Sequence, residues 1–448
     1  MSAALRSVRG ALTSRFFRES STLQAAALIN AGSNLAGSIV LTHVLGAREL
    51  SLFYVAIGAY SLLWSLMNLG LASVATSKIA GAILGDQRED LAGWIGVFLR
   101  LSLALAVLAF AVGFVVLPFA SGLAFDTDGA RIGQLAVLLA LIPLLDVPRI
   151  VCSAALQGER RMLPLARIDT GQEVCRLVLV VSGALVFGSA LGPVAGMLAA
   201  SVCGSALALD AYRRERRANG SKLPALWMAF RSRSVPARRA LREGVLVGFV
   251  RNVDSLGVQT LPTLILGALG NREWVAFLKI AQRMVAVARL LMQGINRTAL
   301  PALAQLARVR DVAGLRRTYW RASFLSGFTI STGLLLSLPF LPYVIDTLFP
   351  REFQAPVWRM ILILVPGLCV VSFSVANDVF YIVTQQMRVA VTLSLIGLVV
   401  NTAQVAFFAW WIPEEGVAIG LSVTCLWSLV HMAYAWRWFH RHLDLAPR

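Results

Sequence analysis

Twelve apolar segments separated by short polar loops constrain this chain more than any other feature of its sequence. Each segment reaches the roughly 20 residues that a helix needs to cross a membrane. Backbone groups in lipid must bond within a helix or a closed barrel, and the period-two alternation of a barrel is absent, so helices are predicted. The predicted spans are Ser21–Leu45, Leu50–Ala72, Leu91–Ala120, Ile132–Leu156, Leu165–Phe187, Leu191–Tyr212, Gly244–Leu269, Trp274–Ile295, Ala322–Ile345, Met360–Val383, Val389–Trp411 and Gly416–Trp438.

The basic residues of the loops set the predicted orientation. The chain carries a net charge of +18. Outside the predicted spans, the termini and the loops on their side hold 27 Lys and Arg residues, and the loops on the other side hold 5. Loops rich in Lys and Arg stay on the cytoplasmic side, so both termini are predicted to be cytoplasmic. The positive charge then serves topology and contact with anionic lipids, and no nucleic-acid partner is expected.

An internal repeat divides the chain near its middle. At an offset of 224 residues, Leu45–Glu49 matches Leu269–Glu273, and Gly192 and Gly196 match Gly416 and Gly420. Each half has six spans, which predicts two six-helix lobes of an all-α polytopic membrane protein, related by a pseudo-twofold axis along the membrane normal. The predicted domains are a cytoplasmic amphipathic N-terminus (1–20), an N-terminal lobe (21–212), a basic cytoplasmic linker (213–242), a C-terminal lobe (243–438) and a cytoplasmic tail (439–448). Repeats of this kind are typical of transporters that alternate access to a site between the lobes.

The eighth span carries cations that a membrane helix normally excludes. Lys279, Gln282 and Arg283 share one helical face, with Arg289 at its edge, and no Asp or Glu occurs between Glu273 and Asp311. Acids on neighbouring helices could pair with these cations and give them a purely structural role. In the functional interpretation, the cations line a cavity and bind a phosphate or diphosphate, and Arg251 in the seventh span is a further candidate for this site.

Acids inside other spans are candidates for coupling to protons or sodium ions. Asp146 precedes Arg149, Glu173 precedes Arg176 and Arg251 precedes Asp254, each by three residues. This spacing also suits self-neutralising ion pairs, and the sequence leaves both readings open. Asp169 shares a face with Glu173. Asn30 and Asn34 form a polar face on the first span and join the candidates for substrate binding.

No catalytic residue, metal site or cofactor is expected from the sequence. The nucleotide-binding and hydrolase motifs GxxxxGK[ST], GxSxG and HExxH are absent, and the four His residues are scattered or lie near the C-terminus. The five Cys residues lie in apolar runs without CxxC spacing, as expected for buried apolar side chains.

Several spaced landmarks resemble the polysaccharide-flippase branch of the superfamily that includes the multidrug and toxin extruders. They are Val44–Gly46 followed by Phe53, Leu300–Leu303 with the amphipathic segment Ala304–Arg317, Leu348–Phe353, and Ile412–Pro413 followed by Gly416–Gly420. Pro350 stands where the family pattern has Gly.

The resemblance implies a flippase of the bacterial cytoplasmic (inner) membrane. Such proteins move an undecaprenyl-diphosphate-linked oligosaccharide from the cytoplasmic to the periplasmic leaflet, with coupling to H⁺ or Na⁺ expected here. A polysaccharide polymerase is an expected partner, and twelve spans favour the O-antigen or exopolysaccharide type.

Three other functions remain open from the sequence. A cation-coupled multidrug extruder of the same fold would favour acids over cations in its cavity. A non-transporting scaffold of a polysaccharide assembly complex would use the basic loops equally well. A membrane glycosyltransferase or ligase would need longer polar loops on the periplasmic side than this chain has.

Overall fold

The computed structural model describes residues 15–67, 71–218, 221–232, 234–238, 240–241, 252–253, 256–269, 272–286, 303, 306 and 311–443. Regular structure within these ranges is helical. The helices are α1 Arg15–Met67, α2 Leu71–Leu84, α3 Arg88–Ala124, α4 Gly129–Leu139, α5 Ile142–Gly158, α6 Met162–Phe187, α7 Leu191–Arg217, α8 Leu226–Arg231, α9 Leu261–Leu269, α10 over residues 273–286, α11 Val312–Ser337, α12 Leu341–Leu348, α13 Arg351–Ser372, α14 Asn377–Val383, α15 Met387–Trp411, α16 Gly416–Thr424 and α17 Trp427–Leu443.

The first two predicted spans form the single stretch α1, which is interrupted at Gly46. Gly46 has φ 67° and ψ 175°, a conformation that interrupts a helix and that glycine adopts without steric cost. At 1.5 Å per residue, 53 helical residues would extend about 80 Å, far beyond a bilayer. The break at Gly46 therefore separates two spans.

Eight helical stretches in the described ranges are long and apolar enough to cross a membrane, and the pair α11 and α12, bent by 57°, would make nine. One of the eight, Leu28–Ser65, contains the break at Gly46 and so covers two predicted spans. The predicted seventh and eighth spans contain α9 and α10, and parts of both lie outside the described residues. The described helices thus account for ten of the twelve predicted segments and for parts of the other two, and the predicted fold class is confirmed.

The chain divides into two compact units. The first contains residues up to Leu45 and Ala59–Asn252, and the second contains Gly46–Gly58 and Val253–Arg448. A short segment of the first repeat therefore belongs to the second unit. The lobe boundaries given above stay a prediction.

The first unit is built around an apolar core shared by α2, α3, α5 and α7, with Ile79, Ile95, Cys152 and Tyr212 almost fully buried in it. Glycine brings α6 and α7 into backbone contact. A Cβ on Gly196 would lie 2.4 Å from the carbonyl oxygen of Leu179, so this crossing tolerates only glycine. Such close approach is how helices associate in lipid, where no hydrophobic force holds them together.

The second unit has an aromatic core. Tyr319 packs edge-on against Phe380 and beside Phe439, with ring centroids 5.7 and 5.5 Å apart. The buried hydroxyl of Tyr319 donates to the side-chain oxygen of Asn377, which satisfies both groups away from water.

Candidate functional site

The candidate residues that the structure describes fall into two groups, one in each unit. The group in the second unit is centred on α10, where the residues three and four apart along the helix, Lys279, Gln282 and Arg283, are all half-buried. They lie on one face, because such positions are neighbours on a helix surface.

The amine of Lys279 has polar partners within the second unit. Its Nζ donates to the carbonyl oxygen of Gln259 at 3.0 Å and lies 3.5 Å from Oε1 of Gln282. Gln259 belongs to one turn of π-helix, Leu256–Thr260. Such wide turns are frequent at functional sites and disturb the regular helical hydrogen bonds. Lys279 therefore joins α10 to this turn.

Arg283 lies against an aromatic ring that comes from a distant part of the sequence. Its Cζ is 5.1 Å from the centre of the Tyr54 ring. Tyr54 is 2% exposed, and its hydroxyl has no hydrogen-bond partner among the described residues. A buried orphan hydroxyl next to a guanidinium is a donor that an anionic ligand would satisfy.

A mostly apolar pocket adjoins this group. Gln282 lines it together with Val258, Val285, Leu364, Leu368, Leu421, Thr424 and Cys425. Gln282 therefore connects the amine of Lys279 to an apolar space.

The group in the first unit is a network of charged side chains and asparagines. Nη2 of Arg176 donates to Glu173 and, at 2.8 Å, to the side-chain oxygen of Asn34. The amide of Asn34 donates in turn to the backbone carbonyl of Asn30 at 2.8 Å. The first and fifth spans are thus joined through the ion pair predicted at Glu173 and Arg176.

The second predicted ion pair also forms. Arg149 and Asp146 are 2.9 Å apart, with 24% and 11% of their side chains exposed. Oδ1 of Asp146, Nε of Arg149 and Oδ1 of Asn30 are buried without a hydrogen-bond partner within the described ranges. The charge of Arg149 also acts on Glu173 and Asp169. The two ion pairs therefore form one electrostatic network with Asp169.

Three candidate residues predicted from the sequence can be assigned to neither group. Arg251, Asp254 and Arg289 lie outside the described residues. Within the described ranges, no three His, Cys, Asp or Glu side chains come close enough to hold a metal ion, so Asp146, Asp169 and Glu173 do not form one carboxylate cage there.

A family model described as "Polysaccharide biosynthesis protein" matches residues 16–307. This covers more than half of the chain, including both polar groups. A comparison with curated proteins gave no significant match.

Solved structures of membrane transporters share the fold. A multidrug resistance MATE family transporter of the MOP superfamily, in an inward-facing conformation, has TM-score 0.74 and 17% identity, with 93% of this chain and 96% of that chain covered. The lipid II flippase MurJ, in an inward closed conformation, has TM-score 0.70 and 11% identity over 93% and 87%. A MOP superfamily transporter from Pyrococcus furiosus, described as having a binding pocket of reversed polarity, has TM-score 0.63 and 16% identity over 95% of both chains.

Proposed function

Since the chain belongs to the polysaccharide biosynthesis protein family and has the fold of MOP superfamily transporters, we propose that it is a flippase for a lipid-linked oligosaccharide. Its substrate is an undecaprenyl-diphosphate-linked oligosaccharide, which it moves from the cytoplasmic to the periplasmic leaflet of a bacterial inner membrane. The observation that carries this proposal is the half-buried pair Lys279 and Arg283, with Arg283 over the ring of Tyr54, whose buried hydroxyl has no hydrogen-bond partner among the described residues.

The cost of these cations supports a role in binding. Each Lys or Arg at the centre of a membrane helix costs about 2.5–3.5 kcal/mol on insertion scales. Val55 and Ala59, which are their repeat mates at the offset of 224, are apolar. The fold therefore does not require cations at this position of the repeat, and only one copy has them.

A diphosphate matches the chemistry of the group. Arg283 offers a planar fork of donors to two phosphate oxygens, and Lys279 adds a point charge one helical turn away. The hydroxyl of Tyr54 supplies a neutral donor from a neighbouring element. We extend the proposed anion site to Arg289 and Arg251, and the contacts to the sugars to Asn30, Asn34 and Gln282.

The charged network of the first unit is the proposed site of coupling to H⁺ or Na⁺. Asp146 and Glu173 are each paired with an Arg, whereas Asp169 is influenced by Arg149 without a direct hydrogen bond to it among the described contacts. The carboxyl of Asp169 is therefore the group that would take up a proton or bind a sodium ion. Asp254 is a second candidate on sequence grounds.

Export of the native surface polysaccharide in cells tests the proposal. We expect Lys279→Ala combined with Arg283→Ala to abolish export at normal membrane abundance and to cause lipid-linked precursor to accumulate, because the diphosphate loses both cations. Arg359→Ala is the matched control, since Arg359 has 62% of its side chain exposed and pairs with Glu415 at 3.6 Å. Full export by the double variant would contradict the proposed anion site.

A multidrug extruder is the second candidate, because solved multidrug transporters share the fold and the first unit contains acids. Deletion of the gene distinguishes the two functions. Unchanged polysaccharide with increased sensitivity to cationic dyes would favour the extruder. Unchanged export in the double variant, with lost export in the deletion, would favour a scaffold that holds a polymerase or other assembly enzymes.

A further inference from the structure

The basic linker contains a short helix that is held firmly on the first unit. Nη1 of Arg100, a cation inside the third predicted span, donates to the carbonyl oxygen of Phe230 and, at 2.7 Å, to that of Ser232. These carbonyls lie at the C-terminal end of α8, where helical partners run out. Arg100 therefore caps α8 and fixes it to α3.

Two glycines of α3 make room for this contact. A Cβ on Gly96 would lie 1.9 Å from the carbonyl oxygen of Ala229, and one on Gly93 would lie 1.9 Å from Oγ of Ser234. Ala229 is fully buried. One side of α8 is thus packed against the backbone of α3.

The chain leading to α8 is held as well. The hydroxyl of Tyr212 donates to the carbonyl of Pro224 at 2.8 Å, and the backbone N–H of Lys222 donates to Glu159 at 2.9 Å. Nζ of Lys222 lies 2.8 Å from Asp86, and this hydrogen bond and charge lower the pKa of the Asp86 carboxyl below its usual value. These contacts tie residues 222–224 to the first unit.

The opposite side of α8 is apolar and exposed. Trp227 is 61% exposed and Met228 is 66% exposed. Arg231 is exposed too, and its Cζ lies 4.3 Å from the centre of the Trp227 ring. An indole with a guanidinium over its face is suited to a membrane interface, where one part of the group meets lipid and the other meets water.

The position of α8 along α3 and the cations near it in the sequence indicate what this surface binds. Gly96 lies about 12 Å along α3 from Arg88, at 1.5 Å per residue, so α8 contacts the third span near the end that carries the basic loops. The exposed cations Arg213, Arg216 and Arg217 end α7, and Arg238 follows α8. An exposed apolar face that carries Arg231 and has further cations before and after it in the linker complements an anionic lipid surface.

We propose that Trp227, Met228 and Arg231 form a membrane-surface anchor that binds the headgroups of anionic phospholipids. The capping of α8 by Arg100 holds the anchor in place, so little conformational freedom is lost on binding. The first unit would thereby be held at a set depth in the leaflet on the side of the basic loops. This inference does not depend on the transported substrate.

Photo-cross-linking in nanodiscs tests the anchor. The full-length protein carries p-benzoylphenylalanine in place of Met228, in bilayers of phosphatidylcholine and phosphatidylglycerol in equal amounts, and adducts are identified by mass spectrometry. We expect phosphatidylglycerol adducts to exceed phosphatidylcholine adducts severalfold. The excess should fall towards equal labelling in Arg231→Gln and Arg217→Gln, because each variant removes one cation near the membrane surface, and it should also fall at high salt.

The same label at Phe119 is the control, because Phe119 is 71% exposed on α3, nearer the other end of this helix. This label should show no dependence on Arg231 or Arg217. Equal adducts of the two lipids at residue 228 would overturn the proposal. A cross-link in cells to another polypeptide in place of lipid would overturn it in favour of a protein partner.

Discussion

The hydroxyl of Tyr54 is buried, has no hydrogen-bond partner among the described residues and lies on the ring that Arg283 covers. A buried polar group without a partner usually costs about 1–3 kcal/mol. A protein retains such a cost where the group binds a ligand. Removal of the hydroxyl should therefore leave the stability of the protein unchanged or raised, and it should weaken the binding of the ligand.

We predict that Tyr54→Phe leaves thermal stability unchanged or slightly raised while it weakens substrate binding. A hydrogen bond to a charged group contributes about 1.5–3 kcal/mol, so the apparent affinity for lipid-linked substrate should fall about tenfold to a hundredfold. Thermal unfolding of the purified protein and substrate titration in nanodiscs measure the two effects.

Tyr319→Phe provides the contrast for this experiment. The hydroxyl of Tyr319 donates to Asn377 within the aromatic core, so its removal leaves a buried amide unsatisfied. This variant should unfold at a lower temperature and keep its affinity for substrate. A loss of stability in Tyr54→Phe with unchanged affinity would show that Tyr54 is structural.

The sequence predicts part of the group around α10 and misses the rest for a physical reason. Helical spacing places Lys279, Gln282 and Arg283 on one face, and the structure shows them there. Tyr54 and the carbonyl of Gln259 come from other elements, and no spacing along the chain brings them near. Tyr54 is the repeat mate of Leu278 at the offset of 224, so corresponding segments of the two repeats meet here.

At the scale of elements, the glycine contacts between α3 and α8 convert a loop into a fixed part of the first unit. The basic composition of residues 213–242 predicts a linker, and α8 within it escapes prediction because six residues are too few for a helical pattern. The sequence alone gives Arg100 no role, because a cation near the end of a span can reach water. In the structure, its two hydrogen bonds to backbone carbonyls at the end of α8 hold this helix on α3.

We predict that Gly96→Leu releases α8 from α3. The added side chain would collide with the carbonyl of Ala229, 1.9 Å from the new Cβ, and α3 cannot move away without opening the core. Trypsin should then cut the linker at Arg231 at least tenfold faster than in the native protein, as measured by limited proteolysis in detergent.

Gly122→Leu is the matched control on the same helix, because a Cβ at Gly122 has nothing within 4 Å. This variant should keep the native rate of cleavage, and its helix should be stabilised slightly, since Gly costs about 1 kcal/mol relative to good helix formers. Equal cleavage of the two variants would contradict the fixed position of α8.

At the scale of the whole molecule, the number of spans decides on which side of the membrane each basic loop lies. With twelve spans, the 27 basic residues of the termini and of the loops on their side fall on one side of the membrane and 5 fall on the other. One span more or fewer would mix the two sets from that point of the chain onwards. The fold could be predicted because lipid admits few architectures. The partners of buried charges could not, because they depend on which helices become neighbours.

We predict that a green fluorescent protein fused after Arg448 fluoresces and that alkaline phosphatase inserted after Asp128 is active. The first reporter needs the cytoplasm and the second needs the periplasm. Asp128 ends a short turn between α3 and α4, on the side with few cations. The opposite pattern would reverse the orientation and, with it, the direction of the proposed transport.

The segment Gly46–Gly58 has a consequence for the design of chimeras. It is encoded in the first half of the gene, yet it belongs to the second unit, where Ala47 donates to Glu352 at 3.2 Å and Tyr54 lies beside Arg283. Recombining halves from two relatives at the linker would give Arg283 a foreign Tyr54 equivalent. Modular exchange of specificity would therefore require three crossovers, at residues 45, 58 and 252, in place of one.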